Sequence, residues 1–228
     1  NWAYAARTTA DDVTDVVGQL YQINRATDLR GFRAALARLE IPVFNATYAD
    51  AEGNIYYVFL SRTPIRAEKF DWRRPVPGWT KDTDWGGVLP FSQLPQVVNP
   101  AAGFLLNCNT PPDAVTLGNA LERSAFPSYL GWGAMNDRGR RSLTWLASRP
   151  VVSMEEMIAF SKDEYLLSAE ELKGFILRAY NQNWRELYDP DARVARAISV
   201  LRNWDGRASV DSRAVVLFSI WKARFDEL

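Results

Sequence analysis

The sequence predicts an α+β protein, with a small sheet in its first half and a helix-rich second half. Two β-rich runs, residues 43–49 and 55–60, are separated by a short polar segment that contains Gly53. This pattern is typical of a hairpin. In the second half, Ser153 and Ser168 are each followed three residues later by glutamate, which is the capping-box pattern of a helix start.

Two helices are predicted before the hairpin. Thr9, followed by Asp11 and Asp12, marks the first start, because acidic side chains favour the first turn of a helix. A second start falls near Asp28, and Pro42 ends that helix. The apolar residues at helical spacing are Val13, Val16, Val17, Leu20 and Ile23 in the first helix, and Leu29, Phe32, Leu36 and Leu39 in the second.

Residues 61–100 are rich in proline, glycine and tryptophan and show little periodicity. A long irregular stretch inside a globular chain is usually a functional surface or a wrapping loop. A short strand is predicted over residues 103–109, closed by the prolines at 111 and 112. From about residue 114 the prediction is mainly helical, with further helix starts at Asp189-Pro190 and at Asp211-Ser212.

The composition excludes several classes of function. The chain has 228 residues, no histidine and one cysteine, Cys108, so Ser-His-Asp or Cys-His catalysis and histidine-ligated metals are excluded within it. The 27 basic and 27 acidic residues balance, which argues against a nucleic-acid partner. No apolar run approaches the ~20 residues of a membrane span. The start at Asn1, without methionine, indicates a processed or excised piece.

A series of short motifs resembles one known family. In chain order they read NATYADAEGN (45–54), PIR (64–66), FDW (70–72), RPVPG (74–78), DWGGVLPF (84–91), LPQVVNPAAG (94–103), NCNTP (107–111), NDR (136–138) and WDG (204–206). Their order is similar to the β-chain of the penicillin acylases, particularly the branch that contains acyl-homoserine-lactone and aculeacin acylases. The resemblance covers most of the chain. Its specificity comes from the shared order, since any one motif alone is a weak signal.

The resemblance implies an N-terminal-nucleophile hydrolase with an αββα sandwich. In such enzymes autocleavage exposes a serine at the start of the β-chain, and its own α-amino group, with a pKa near ~8, acts as the base. Family β-chains begin with that serine, whereas this chain begins with Asn1. We therefore expect residues 1–228 to be a single fragment of a larger β-chain, inactive alone. Residues 1–112 would hold helices, the hairpin and a long loop leading to the oxyanion strand, and 113–228 would be mostly helical.

Two candidate catalytic residues follow from the resemblance. Asn109 matches the asparagine whose side-chain amide donates to the tetrahedral oxyanion, and Arg138 matches an arginine that orients this asparagine. Arg141 is the fallback for Arg138. The alternative for Asn109 is a turn cap before Pro111, and the alternative for Arg138 is a solvated, charged helix start.

Candidate substrate-binding residues are Phe44 and Leu20, which match apolar positions lining the acyl pocket in relatives. The alternative for both is ordinary core packing. Relatives often carry a structural calcium, to which only a backbone carbonyl near Trp72 would contribute here. Neither a metal nor a cofactor is therefore predicted for this chain.

The functional hypothesis is that the chain forms part of an amidohydrolase. This enzyme would cleave N-acyl amides, penicillin-like or N-acyl-homoserine-lactone-like, through an upstream N-terminal serine. Its partners would be the α-chain, the N-terminal part of the β-chain and a small N-acyl substrate, in the periplasm or outside the cell. One alternative is a catalytically silent scaffold of the same fold. Another is a carbohydrate-binding or glycoside-cleaving domain, suggested by nine tryptophans and the aspartates of residues 70–100.

Overall fold

The computed structural model describes residues 3–118, 120–183 and 192–227, and the chain divides into two compact units, Asn1–Ala147 and Ser148–Leu228. The first unit contains a three-stranded antiparallel sheet of order β1-β2-β3, so the α+β prediction is confirmed. The strands are β1 Val43–Ala49, β2 Ile55–Ser61 and β3 Gln96–Val98. The helices are α1 Val16–Arg25, α2 Leu29–Leu36 and α3 Asp137–Ala147 in the first unit, and α4 Met154–Ser161, α5 Leu167–Asn183, α6 Arg193–Arg202 and α7 Arg213–Asp226 in the second.

The predicted hairpin forms, with Phe44 opposite Leu60 and Ala49 opposite Ile55. Its turn is organised by Asp50, whose Oδ1 accepts hydrogen bonds from the backbone N–H groups of Glu52 at 3.0 Å and Asn54 at 2.9 Å. The turn also needs a left-handed backbone, which Gly53 supplies with a φ of +87°.

The two faces of the sheet belong to different apolar clusters because side chains alternate along each strand. On one face, Tyr56, Val58 and Leu60 pack with Leu36 of α2. On the other, Tyr57 packs with residues that follow in the chain, among them Val97 and Val115. One face of the sheet is therefore covered by α2, and the other by residues that follow β3, including Val115.

A buried glutamine joins α1, α2 and the segment entering β1. Gln19 is 0% exposed, and its Nε2 donates to the carbonyls of Ala35 and Leu36, both at 3.0 Å. These carbonyls lie at the end of α2, where a helix leaves backbone acceptors unpaired. The Oε1 of Gln19 accepts from the N–H of Ile41 at 2.6 Å, so all three segments depend on one side chain.

We expect Gln19→Leu to lower the free energy of unfolding by about 2–4 kcal/mol, because leucine fills the space but leaves buried backbone groups without partners. Urea unfolding of the chain measures this effect. Gln22→Leu is the matched control, since Gln22 lies on the exposed side of the same helix and should shift stability by no more than about 0.5 kcal/mol. Equal losses in the two variants would contradict the role given to Gln19.

Two carboxylates cap the start of α1. The Oε2 of Glu40 accepts from the N–H groups of Thr14 and Asp15, both at 3.1 Å, and these bonds lower the pKa of the Glu40 carboxyl. The Oδ1 of Asp15 accepts from the N–H of Gly18 at 2.9 Å. The hydrogen bond from Arg38 is the first cause that lowers the pKa of Asp15, and the Gly18 bond adds to it. Both caps therefore depend on ionised carboxyls.

This arrangement predicts acid sensitivity at the α1 start. In the folded state the pKa values of Glu40 and Asp15 lie below the unfolded values of about 4.3 for Glu and 3.9 for Asp. The stabilisation that the two caps contribute is therefore complete above those unfolded values, and it is lost as the pH falls through the folded-state pKa of each group. We expect Glu40→Gln to lower the Tm at pH 7, and the difference from the wild type to shrink progressively as the pH falls below about 4. Thermal unfolding across this range measures the effect. The exposed Glu52, changed to Gln, should leave the Tm–pH curve unaltered.

The first predicted helix starts later than Thr9. Residues Thr9–Asp12 form a separate 3₁₀ turn capped by Thr8, and α1 begins at Val16 with Asp15 as its N-cap. The break occurs because Val13 is extended and Glu40 binds the next two N–H groups. The second helix does start after Asp28, as predicted, but it ends at Leu36 and not at Pro42.

The strand predicted over residues 103–109 is wrong. Leu106 N–H donates to the carbonyl of Val115 at 2.8 Å, but this bond is not extended into a ladder, and residues 104–107 have no regular secondary structure. The third strand is instead β3, inside the stretch expected to be irregular. It forms because Tyr57 and Val97 face each other across the sheet and bury their side chains together.

The helical prediction for the second half is confirmed over residues 137–183 and 192–227, the part that the structure describes, whereas 3₁₀ turns precede it at Pro112–Ala114 and Arg123–Ala125. Ser153 and Glu156 form the predicted capping box of α4. Ser168, however, lies inside α5, because residues 164–166 pair with 206–208 through two backbone bonds of 2.9 Å and the helix starts directly after them. Ser212 caps α7 as predicted. The start predicted at 189–190 lies outside the described residues.

Candidate functional site

The structure brings Asn109 and Arg138 together. A guanidinium nitrogen of Arg138, in the first turn of α3, donates to the Oδ1 of Asn109 at 2.9 Å. Because a guanidinium can only donate, this bond fixes which end of the amide faces the arginine. The Nδ2 of Asn109 is therefore turned away, and none of the described residues accepts a hydrogen bond from it. Arg138, and not the fallback Arg141, makes this contact, while the catalytic role of the pair stays a prediction.

The backbone of Asn109 has an unusual conformation that its neighbours hold. Its φ is +57°, a left-handed value that asparagine tolerates better than most residues. The Oδ1 of Asn107 accepts from the N–H of Asn109 at 3.2 Å and from the Nδ2 of Asn45 at 3.1 Å. Asn107 thus ties the Asn109 loop to β1.

A second asparagine ties the same loop to α3. The Nδ2 of Asn136 donates to the carbonyl of Cys108 at 2.8 Å and reaches that of Asn109 at 3.5 Å. Its Oδ1 accepts from the N–H of Gly139 at 2.9 Å, which is the contact of an N-cap residue. The sequence interpretation assigned no role to Asn107 or Asn136. In the sequence they stand out only as the first asparagine of NCN and the single asparagine of NDR.

Close packing sets the distance between α3 and the loop. A Cβ built on Gly139 would lie 2.1 Å from the Cγ2 of Thr110 and 2.8 Å from the Sδ of Met135. Thr110 is 3% exposed and adjoins Asn109, so its methyl group cannot move away easily. Gly139 therefore allows the first turn of α3 to approach closely enough for Arg138 to reach Asn109.

The two predicted acyl-pocket residues are exposed. Phe44 is 63% exposed and Leu20 is 45% exposed, so the core-packing alternative is wrong for both in the described chain. Phe44 lies on the face of the sheet that carries Leu60, whereas the neighbouring Asn45 bonds to Asn107. The structure thus does not bring Phe44 to the side of Asn109, and both pocket roles stay predictions.

Two tryptophans of the long loop, Trp72 and Trp85, pack on arginine. The guanidinium carbon of Arg66 lies 4.9 Å from the ring of Trp72 and 5.5 Å from that of Trp85, and Arg7 lies 4.5 Å from the Trp85 ring. These are cation–π distances, and burial lowers the pKa of Arg66. The stacking accounts for Trp72 and Trp85 without a sugar ligand.

No group of three or more acidic, cysteine or histidine residues could hold a metal ion in the part of the chain that the structure describes. The backbone carbonyl near Trp72, which the resemblance makes a candidate calcium ligand, lies in this part of the chain. Within residues 3–118, 120–183 and 192–227, no helix is long and apolar enough to cross a bilayer.

Comparisons with known proteins identify the family of this chain. The solved structure of a thermostable penicillin G acylase from Alcaligenes faecalis matches it with a TM-score of 0.58 at 23% identity, covering 90% of this chain and 37% of that chain. The chain thus has part of that fold. A family model for penicillin amidase matches residues 1–228. The chain belongs to the penicillin amidase family, and the resemblance seen in its motifs is confirmed.

Curated relatives carry the same family names. Penicillin G acylase from Escherichia coli is 47% identical over 68 residues, which cover 30% of this chain and 8% of that protein. The acyl-homoserine lactone acylase PvdQ from Pseudomonas savastanoi pv. phaseolicola is 25% identical over 235 residues, which cover 92% of this chain and 29% of that protein. The chain therefore spans less than a third of the length of either relative.

Proposed function

We propose that this chain is part of a larger amide hydrolase that cleaves small N-acyl compounds, with Asn109 as an oxyanion donor. The observation that carries the proposal is the 2.9 Å bond from Arg138 to the Oδ1 of Asn109. It leaves the Nδ2 of an exposed asparagine turned away from Arg138 and without an acceptor among the described residues. A rigid donor placed where negative charge develops is what amide hydrolysis requires.

The chemistry assigned to the whole protein needs no histidine. An N-terminal serine outside these residues would attack the acyl carbonyl, and its own α-amino group would take the hydroxyl proton. The carbonyl oxygen then carries the negative charge that Asn109 Nδ2 binds. When the tetrahedral intermediate collapses, the C–N bond breaks and the amine leaves with that proton. Water hydrolyses the resulting ester by the same route and releases the acid.

The substrate class is an N-acyl amide of the penicillin or N-acyl homoserine lactone type, as the names of the relatives suggest. The exposed Leu20 and Phe44 are proposed to contact the acyl group once the remaining parts of the protein are present. Those parts, the α-chain and the N-terminal part of the β-chain, are the proposed partners, and the periplasm or the exterior is the proposed location. Residues 1–228 are proposed as one fragment that does not catalyse alone.

The test is made on the full-length protein, expressed with its upstream sequence. Intact mass and N-terminal sequencing should reveal a cut that leaves a new N-terminal serine before Asn1. Hydrolysis is then measured on matched phenylacetyl and long-chain acyl amides and on an N-acyl homoserine lactone. An uncut protein without hydrolysis of any of these compounds would contradict the proposal and favour the silent-scaffold alternative.

A further inference from the structure

We propose that Asn136 is a positioning residue for the oxyanion donor Asn109, because its side chain hydrogen-bonds to the carbonyls of Cys108 and Asn109. This inference rests on the proposed function and deepens it. The side chain makes two kinds of contact at once. Its Nδ2 faces the loop carbonyls at 2.8 and 3.5 Å, while its Oδ1 accepts the Gly139 N–H at 2.9 Å.

These contacts connect both members of the candidate pair. Arg138 lies between Asn136 and Gly139 in the chain, so the cap orders the turn that presents its guanidinium. The bonds to Cys108 and Asn109 hold the backbone from which the Asn109 amide projects. Asn136 therefore sets the position of the donor and of its orienting arginine relative to each other, although it is two residues from Arg138 and makes no contact with the Nδ2 of Asn109.

Other groups on the described surface explain less. The Nε of Arg66 and the hydroxyl of Tyr57 are buried without hydrogen-bond partners among the described residues. The half-buried Cys108 offers a single thiol, with its Sγ 3.5 Å from the Oγ of Ser142. Asn136, in contrast, makes three contacts, two with the carbonyls of Cys108 and Asn109 and one with the N–H of Gly139 in the first turn of α3.

Asn136→Asp separates the two contacts of this side chain. The carboxylate still accepts the Gly139 N–H, since aspartate caps helices as well as asparagine does. Its second oxygen has no proton to donate to the two carbonyls and is repelled by them, so the loop should shift. In the full-length protein we expect kcat at pH 7 to fall at least about 10-fold with KM nearly unchanged, because displacing a reacting group by ~1 Å costs up to about 10²-fold.

The pH profile distinguishes positioning from capping. When the carboxyl becomes protonated its O–H can donate to the Cys108 carbonyl again, so the ratio of variant to wild-type kcat should rise as the pH falls toward about 4. If Asn136 only capped the helix, the ratio would stay near 1 at every pH, and that result would overturn the proposal. Asn203→Asp, an exposed control in the second unit, should show no such rise.

A crystal structure of the Asn136→Asp protein at pH 7 provides a readout independent of activity. We expect the Asn109 side chain to be displaced by about 1 Å or more while α3 still starts at Asp137. An unmoved Asn109 would overturn the proposal even if the protein hydrolyses nothing. Loss of activity in Asn109→Gly with a normal Asn136→Asp enzyme would reject this inference alone, whereas full activity of Asn109→Gly would reject the oxyanion-donor role that the proposed function gives to Asn109.

Discussion

Asn109→Gly in the full-length protein is expected to lower kcat by about 10²–10³-fold, with only a small change in KM. Loss of one oxyanion donor has an effect of this size because the interaction is made mainly in the transition state. Glycine is preferred to alanine here. The φ of Asn109 is +57°, a conformation that glycine adopts freely and that costs alanine about 1–2 kcal/mol, so the glycine variant removes the amide without straining the loop.

Asn99→Gly is the matched control for this experiment. Asn99 also has a positive φ, +45°, and its side chain is also hydrogen-bonded, with Oδ1 accepting the Ile55 N–H at 2.8 Å. The substitution, the backbone region and the exposure are therefore alike, but Asn99 lies at the end of β3. We expect its kcat to stay within about threefold of the wild type. Steady-state kinetics of both variants provides the measurement. If Asn109→Gly retained full activity, the oxyanion would have to be bound by a different donor.

Local chemistry made part of the fold predictable. The hairpin around Gly53 and the caps at Asp28, Ser153 and Ser212 depend on residues within a few positions of each other, and all of them form. The failures involve partners distant in sequence. A strand over 103–109 would require a neighbouring strand along its whole length, and β3 forms only because β2 lies beside it. Likewise, Glu40 breaks the first predicted helix from 25 or more residues away.

The candidate site could be predicted only through the family resemblance. Asn109 and Arg138 are 29 residues apart, and nothing in composition or periodicity connects them. The contacts between Asn45 and Asn107 and between Asn136 and Cys108 span 62 and 28 residues, so no local sequence pattern predicts them. Leu20 and Phe44 show that a local pattern can also predict a burial that does not occur. Apolar residues at helical or strand spacing predict burial, and here the described chain leaves both of them uncovered.

The second large effect is expected for Arg138→Met, which keeps an apolar stem of similar reach but removes the donor to the Oδ1 of Asn109. Without that bond the amide is no longer fixed, and we expect kcat of the full-length protein to fall about 10- to 100-fold. Arg140→Met is the control. It lies in the same exposed helix turn and forms an ion pair with Asp137 at 3.7 Å, so its loss should change kcat less than about twofold.

A double-mutant cycle tests whether Arg138 acts through Asn109. If its only contribution is to orient the amide, then once Asn109 is glycine the further change Arg138→Met should have no effect on kcat. The double variant would then be as slow as Asn109→Gly alone, since residues that act as a unit are not additive. Additive losses would instead mean that Arg138 contacts the substrate or another group directly. In that case the 2.9 Å bond would be incidental to catalysis, and the positioning argument for this pair would fail.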